Sequence, residues 1–194
     1  SFLLKMKLAM PGEAPRELND REIMAHAKLV MVAGGGTSWR QMGITLLALL
    51  THLDQFEEVK ADRKLLADAV EEGLRWNPTA PFFYRMVMKD TEFYGHRIPA
   101  GDVLELCLGP ANRDPARWDN PDVFDMHRPK LTNMAFGLGT HRCLGMNVAR
   151  VEIETGINAL LDAFPKLRLD PDAPTPFMTG GLEQQGPSGL PVLL

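Results

Sequence analysis

The sequence predicts a mainly α chain with a small antiparallel β portion. Apolar residues recur at helical spacing over three long stretches, and short β-prone runs between residues 82 and 107 are separated by turn signals. No Rossmann fingerprint is present, because Gly34–Gly36 sit inside an apolar helical run and not after a strand. With 194 residues, 45% apolar and 24% charged, the chain can bury a core and is no disordered polymer. A formal charge of −4 and the absence of any Lys or Arg run argue against nucleic acid as the main partner. The longest apolar stretches, Leu29–Ala33 and Ile44–Leu50, fall far short of the roughly 20 residues that span a bilayer. Ser1–Met10 is a short mixed opening without the pattern of a secretory signal, and Ser at position 1 points to a cut or engineered end. Two cysteines, Cys107 and Cys143, are too few for a disulfide framework, so a reducing, cytoplasmic setting is expected.

Taken in order, Asn19 with Glu22 marks a helix start of the capping-box type, and one long helix is expected over residues 19–53. Its middle carries three glycines, each costing about 1 kcal/mol against Ala. Apolar periodicity resumes at Met42, Leu46, Leu47 and Leu50, which favours a continuous helix whose bared backbone lets something large approach. A short acidic helix at 54–60 and an amphipathic one at 63–76 follow, the latter closed by Asn77-Pro78. Phe82–Lys89, Thr91–Pro99 and Val103–Cys107 read as strands, with turns at Lys89-Asp90, Tyr94-Gly95 and Pro99–Asp102. Residues 112–129 form a loop without periodicity, a length that is functional or conceals a misread element. A clear helix is expected over 144–164, with Ile153, Ile157, Leu160, Leu161 and Phe164 on its apolar face, and the tail from Pro165 reads as short strands and hairpins.

The stretch Phe136-Gly137-Leu138-Gly139-Thr140-His141-Arg142-Cys143-Leu144-Gly145 carries the chemistry. Gly137 and Gly139 permit a tight turn that delivers Cys143 to the first turn of the following helix. The unpaired amides and partial positive charge of a helix N-terminus favour a thiolate there, and Arg142 adds a cation. Such a thiolate serves as a nucleophile, with His141 the nearest base in sequence, or as a metal ligand. Zinc would want several Cys or His at short spacing, whereas haem iron needs one thiolate and an apolar wall such as Phe136.

Phe136, Gly139, Cys143 and Gly145 resemble the FxxGxxxCxG haem loop of the cytochrome P-450 superfamily, the haem-thiolate monooxygenases of soluble bacterial type. Glu72-Gly73-Leu74-Arg75 is similar to the family's ExxR pair, whose i, i+3 spacing allows a bidentate contact, and Arg128 stands where the family completes that pair. The resemblance implies the C-terminal half of the cytochrome P-450 fold over residues 1–194, with the helix at 19–53 as the oxygen-binding helix. It implies haem b (iron protoporphyrin IX), with Cys143 as the metal ligand and Phe136, Gly137 and Gly145 shaping the cofactor loop. Arg85 and His141 are implied partners of the haem propionates, and Glu72, Arg75 and Arg128 a proximal network. Thr37 matches the family's catalytic alcohol, while Gly36 stands where a carboxylate normally precedes it. Leu29, Val32, Ala33, Pro81, Phe82, Phe83 and Leu182 are candidate substrate-pocket residues.

The resemblance further implies a monooxygenase that inserts one oxygen atom from O2 into a small or medium apolar substrate, with electrons from NAD(P)H through a ferredoxin or flavoprotein. Gly36 opens two alternatives, a peroxide-using peroxygenase and a haem-thiolate dehydratase or isomerase; a further one is a non-catalytic haem-binding subunit or sensor. The chain is about half the family's usual length, and the run Leu29–Ala33 is apolar on several faces. The N-terminal half of the fold, as a second polypeptide or fragment, is therefore the expected partner.

Overall fold

A computed structural model describes residues 3–194; Ser1 and Phe2, at the start of the opening segment, lie outside the described residues. Two compact units are present, Ser1–Gly36 and Thr37–Leu194. In the first, β1 (Lys7–Leu8) pairs antiparallel with β2 (Arg16–Glu17), and the chain then enters α1 (Asp20–Thr51). Asn19 and Glu22 form a reciprocal cap. The Glu22 amide donates to Asn19 Oδ1 at 3.0 Å, and the Asn19 amide donates to Glu22 Oε2 at 2.9 Å. α1 runs through Gly34–Gly36 without a break, and a Cβ placed on Gly34 or Gly35 would meet nothing within 4 Å. Leu29, Val30, Met31 and Val32 are 65–77% exposed.

The second unit holds the core. The later part of α1, α2 (Leu53–Ala61), α3 (Leu66–Trp76) and α5 (Met146–Ala163) bury Leu46, Leu49, Phe56, Val59, Val70, Leu74, Ile153, Ile157 and Leu161 in one cluster. Between α3 and α5 lie β3 (Phe82–Met86), the hairpin β4 (Thr91–Phe93) with β5 (His96–Ile98), β6 (Val103–Cys107) and the one-turn α4 (Leu108–Ala111). β3 pairs antiparallel with β6, Phe82 opposite Cys107 and Met86 opposite Val103. The β4–β5 hairpin turns on Tyr94 (φ 49°) and Gly95 (φ 78°), the two successive left-handed residues that a tight hairpin requires. In the tail, β7 (Arg168–Leu169) pairs with β10 (Val192–Leu193), and β8 (Met178–Gly180) with β9 (Gln185–Pro187). Every strand pair is antiparallel, and no helix among the described residues is long and apolar enough to cross a membrane.

Four local expectations shift, the first being that β3 ends at Met86, three residues before the expected Lys89. The stretch 63–76 opens with a 3-10 turn, Arg63–Leu65, before α3 proper, and the Asp62 side chain accepts from the Lys64 amide at 3.0 Å. α4 follows directly on β6, too short for any periodicity to announce. α5 begins at Met146, two residues later than expected, because Gly145 occupies the N-cap position and its carbonyl takes the Ala149 amide at 2.9 Å. Cys143 therefore precedes the helix cap and is not part of the first turn.

Candidate functional site

The loop at 112–129 is irregular yet deeply packed, with Trp118, Phe124 and Met126 buried and Asn112 fully so. Its shape comes from main-chain oxygens gathered around two arginines. On α3, Glu72 and Arg75 face the same way, and Arg75 Nε and Nη2 donate to the two Glu72 oxygens at 2.8 and 2.7 Å. The remaining guanidinium capacity goes to the loop: Nη1 donates to the carbonyls of Asn112 (3.0 Å) and Pro121 (2.8 Å), and Nη2 to that of Val123 (3.0 Å). Arg128 closes the knot from the far end of the loop, donating to Glu72 Oε1 at 3.3 Å, to Asn120 O at 3.1 Å and to Val123 O at 3.0 Å, with a further contact to Asp119 O. The Asp125 amide also donates to Glu72 Oε1, at 3.0 Å. Arg75 lies over the Trp118 ring at 5.4 Å from its centroid. A buried acid and two cations are tolerable here because nearly every lone pair and N–H is used.

The cysteine loop lies between this knot and α5. Gly137 (φ 66°) and Gly139 (φ 72°) take left-handed conformations that a Cβ would strain, and a short 3-10 turn covers Gly139–His141. The loop closes on itself where the Cys143 amide donates to Phe136 O at 2.9 Å, with the Gly137 amide on Met134 O at 2.9 Å. Phe136 packs against the core on one side and carries the Arg150 guanidinium over its ring at 4.7 Å. Arg150 in turn pairs with Glu71 of α3. Arg142, Lys130, Arg150 and Glu71 line a cleft of about 250 Å³ beside Phe136. Asp68 next to Lys130 raises that ammonium above the ordinary lysine range, first through their hydrogen bond.

Cys143 and Cys107 are both free thiols and both exposed. Of the other sequence-predicted site residues, the structure brings Glu72, Arg75 and Arg128 into one contact set. Phe136, Gly137, Cys143 and Gly145 stand together in one loop, with His141 exposed within it. Arg85 sits on β3, opposite Leu104, and its guanidinium donates to the Tyr84 carbonyl at 2.8 Å. Pro81 is buried, Phe82 half-buried and Phe83 exposed at the start of β3, while Leu182 is exposed at the tip of the β8–β9 hairpin. None of these four lines the clefts around the glutamate–arginine knot or the cysteine loop. Thr37 is half-buried on α1; Leu29, Val32, Ala33 and Gly36 belong to the first unit, the first three exposed and Gly36 half-buried. Sequence reasoning missed the Glu71–Arg150–Phe136 stack, because residues 79 positions apart leave no local signal.

The donor set suits a group that brings most of its own ligands. No cluster of three or more His, Cys, Asp or Glu side chains exists among the described residues to hold a bare metal ion. The loop instead offers one uncommitted thiol on an open face. A Cβ on Gly139 would meet nothing within 4 Å, and one on Gly145 would lie 3.9 Å from Cys143 Sγ. A prosthetic group that needs one protein thiolate fits that provision.

Comparison with known proteins agrees. The family model described as Cytochrome P450 matches residues 1–187, and the chain belongs to that family, whose prosthetic group is haem iron. It is similar to Cytochrome P450 105C1 of a Streptomyces species, 37% identical over 98% of this chain and 52% of the relative. It is also 37% identical to a vitamin D3 dihydroxylase of Streptomyces griseolus, over 91% of this chain and 44% of that protein. Among solved structures, the hydroxylase HmtN, involved in himastatin biosynthesis, superposes with a TM-score of 0.87 at 35% identity, covering 98% of this chain and 50% of that one. The chain thus spans about half the length of the relatives it matches, and its helices and antiparallel strand pairs form half of the P450 fold.

Proposed function

We propose that this chain forms the haem-binding part of a monooxygenase acting on a small or medium apolar substrate. The observation that carries the reading is the free, exposed Cys143 thiol in a loop closed by its own amide on Phe136 O. Haem b bound there would supply electron transfer and O2 activation, delivering one oxygen atom to substrate. Cys143 would be the residue that holds its iron, as a thiolate. Gly137 and Gly145 would keep side chains away from the ring, Phe136 would form an apolar wall, and Arg85 and His141 would hold the propionates. Glu72, Arg75 and Arg128 fix the backbone ahead of the cysteine loop, so that the thiolate is presented from a rigid support. Thr37 would hold a proton or a water, and Pro81, Phe82, Phe83 and Leu182 would shape the substrate pocket; Leu29, Val32 and Ala33 of the first unit are proposed as substrate-contacting residues in their own right. Electrons come from NAD(P)H through a ferredoxin or flavoprotein, in a cytoplasmic setting that suits two unpaired cysteines.

The exposed apolar side chains Leu29, Val30, Met31 and Val32 support one further part of this reading. The N-terminal half of the fold covers them, whether as a second polypeptide, a fragment or part of a longer chain. Residues 1–194 that bind haem stoichiometrically on their own and stay monomeric would remove that part.

The test of the main reading is spectroscopic. The reduced CO complex of the haem-loaded protein is expected to show the red-shifted Soret band of thiolate ligation, and Cys143→Ala to abolish it. An unchanged band would remove the ligand assignment. Gly36 favours a second reading, because a glycine cannot deliver protons: peroxide would then replace O2 and reductant, or the reaction would be a dehydration or isomerisation. Turnover with hydrogen peroxide compared with NAD(P)H plus redox partners separates the two.

A further inference from the structure

The buried polar side chains on the second half of α1 take no part in the site described above. Gln41 follows Thr37 by four residues, so both stand on one helix face. Gln41 is 2% exposed and its amide is used at both ends. Its Oε1 accepts from the Thr79 amide at 2.8 Å, and its Nε2 donates to Asn77 O at 3.3 Å. The segment it grips is bound in turn to the β8–β9 hairpin. Gln185 Nε2 donates to Asn77 Oδ1 at 2.7 Å and Pro78 O at 3.1 Å, Thr79 Oγ1 donates to Gln185 O at 2.7 Å, and the Gln185 amide donates to Thr79 O at 2.8 Å. α1 also touches the hairpin directly. Arg40 Nη1 donates to Gln184 Oε1 at 3.1 Å, and a Cβ on Gly186 would come within 3.2 Å of Arg40 Cγ.

The hydrophobic core contains no residue of 178–187. Polar contacts hold this hairpin to the body, together with the Pro187 ring, whose Cγ would lie 3.2 Å from a Cβ on Gly43 of α1. Such a network fixes geometry more than it adds stability, because each amide accepts only one arrangement of partners.

The structure assigns Gln41 as a positioning residue for the substrate pocket. Its amide sets the spacing between the helix that carries Thr37 and two segments that carry pocket side chains, Pro81–Phe83 and the hairpin tip at Leu182. This inference rests on the reading of those residues as the pocket of a haem enzyme. A Leu at position 41 matches Gln in size but leaves the Thr79 amide and Asn77 carbonyl unmatched, so the strand entry and the hairpin lose their common reference.

The test uses the whole haem-loaded protein and two iron-binding azoles, imidazole and 4-phenylimidazole, titrated by the shift of the haem spectrum. Imidazole asks little of the pocket; the phenyl group must fit within it. Gln41→Leu is expected to leave the imidazole Kd within about twofold and to change that of 4-phenylimidazole by about tenfold, the scale of one buried hydrogen bond. Gln185→Leu, on the half-exposed hairpin, should change the same ratio in the same direction, and the double variant should add nothing beyond the larger single effect. Equal effects on both azoles, or additive effects of the two substitutions, overturn the assignment. Should Gln41→Leu fail to fold, an unchanged azole ratio in Gln185→Leu overturns it alone. A wild-type protein whose spectrum neither azole moves overturns the haem reading instead.

Discussion

The glutamate–arginine knot and the cysteine loop are neighbours in the fold but use their polar atoms in opposite ways. In the knot, Glu72 is 5% and Arg75 2% exposed, and the carboxylate and guanidinium groups are almost fully engaged within the chain. In the cysteine loop, the backbone is tied down while the Cys143 thiol and the His141 ring face outward. The difference separates support from function. Groups that hold the fold are matched internally, and on the proposed reading the exposed groups are left for a ligand to match.

Substitutions on the two sides should therefore fail differently. Cys143→Ala is expected to remove the thiolate signature of the CO complex completely while changing the urea midpoint of the haem-free protein by no more than the equivalent of about 0.5 kcal/mol, as for a side chain without internal partners. A large loss of stability would mean that the thiol is part of the support. Glu72→Ala should cost about 3–5 kcal/mol, since it strands Arg75 in the interior. Urea denaturation with the CO band as a second readout distinguishes an unfolded protein from one that merely lost its ligand.

Packing around the knot sharpens the contrast at smaller scale. A Cβ on Gly73, inside the ExxR sequence, would lie 2.5 Å from Thr45 Oγ1 and 3.2 Å from its Cβ, so α3 and α1 approach there without slack. Gly73→Ala is expected to destabilise by about 1–2 kcal/mol net of its gain in helix propensity. On α5, a Cβ at Gly156 meets the Met42 thioether, a flexible side chain that swings aside, so Gly156→Ala should be near neutral by the same urea measurement. Equal costs would show that the α3–α1 contact is not special.

The smallest effect belongs to the first unit. Hydrogen bonding from Arg16, then from the Asn19 amide, lowers the Glu22 carboxyl to about 2. Its folded pKa lies below its unfolded one, so its contribution to stability is present above about pH 4.5 and is lost as pH falls through about 2. A carbon NMR titration of Glu22 should show this. Arg16→Gln should move the midpoint toward the ordinary glutamate value; a carboxyl that titrates there already in the unaltered protein would contradict the cap geometry.

How far the molecule was legible depended on sequence distance. The cysteine loop and the capping box were plain because each is contiguous, with glycines and a cap residue at fixed offsets. α1 was legible from its periodicity on both sides of Gly34–Gly36. The start of α5 was misplaced by two residues, because Gly145 has no side chain with which to announce a cap. Arg128 was placed in the knot only through family resemblance, since nothing local distinguishes it from other arginines. The Gln41 network and the Glu71–Arg150 pair were invisible, because their partners are 36–144 and 79 residues away.

The way residues 119–123 are gripped has a consequence for how the protein tolerates change. Arg75 and Arg128 hold that stretch by its carbonyls, which every amino acid possesses. Exchanging the side chain at Asp119 should thus leave the path of the chain intact, with Asn120 (φ 45°) the place where a branched residue is refused. Inserting or deleting a single residue, by contrast, would slide every oxygen past its guanidinium. A mutational scan should find this segment forgiving in spelling and strict in length.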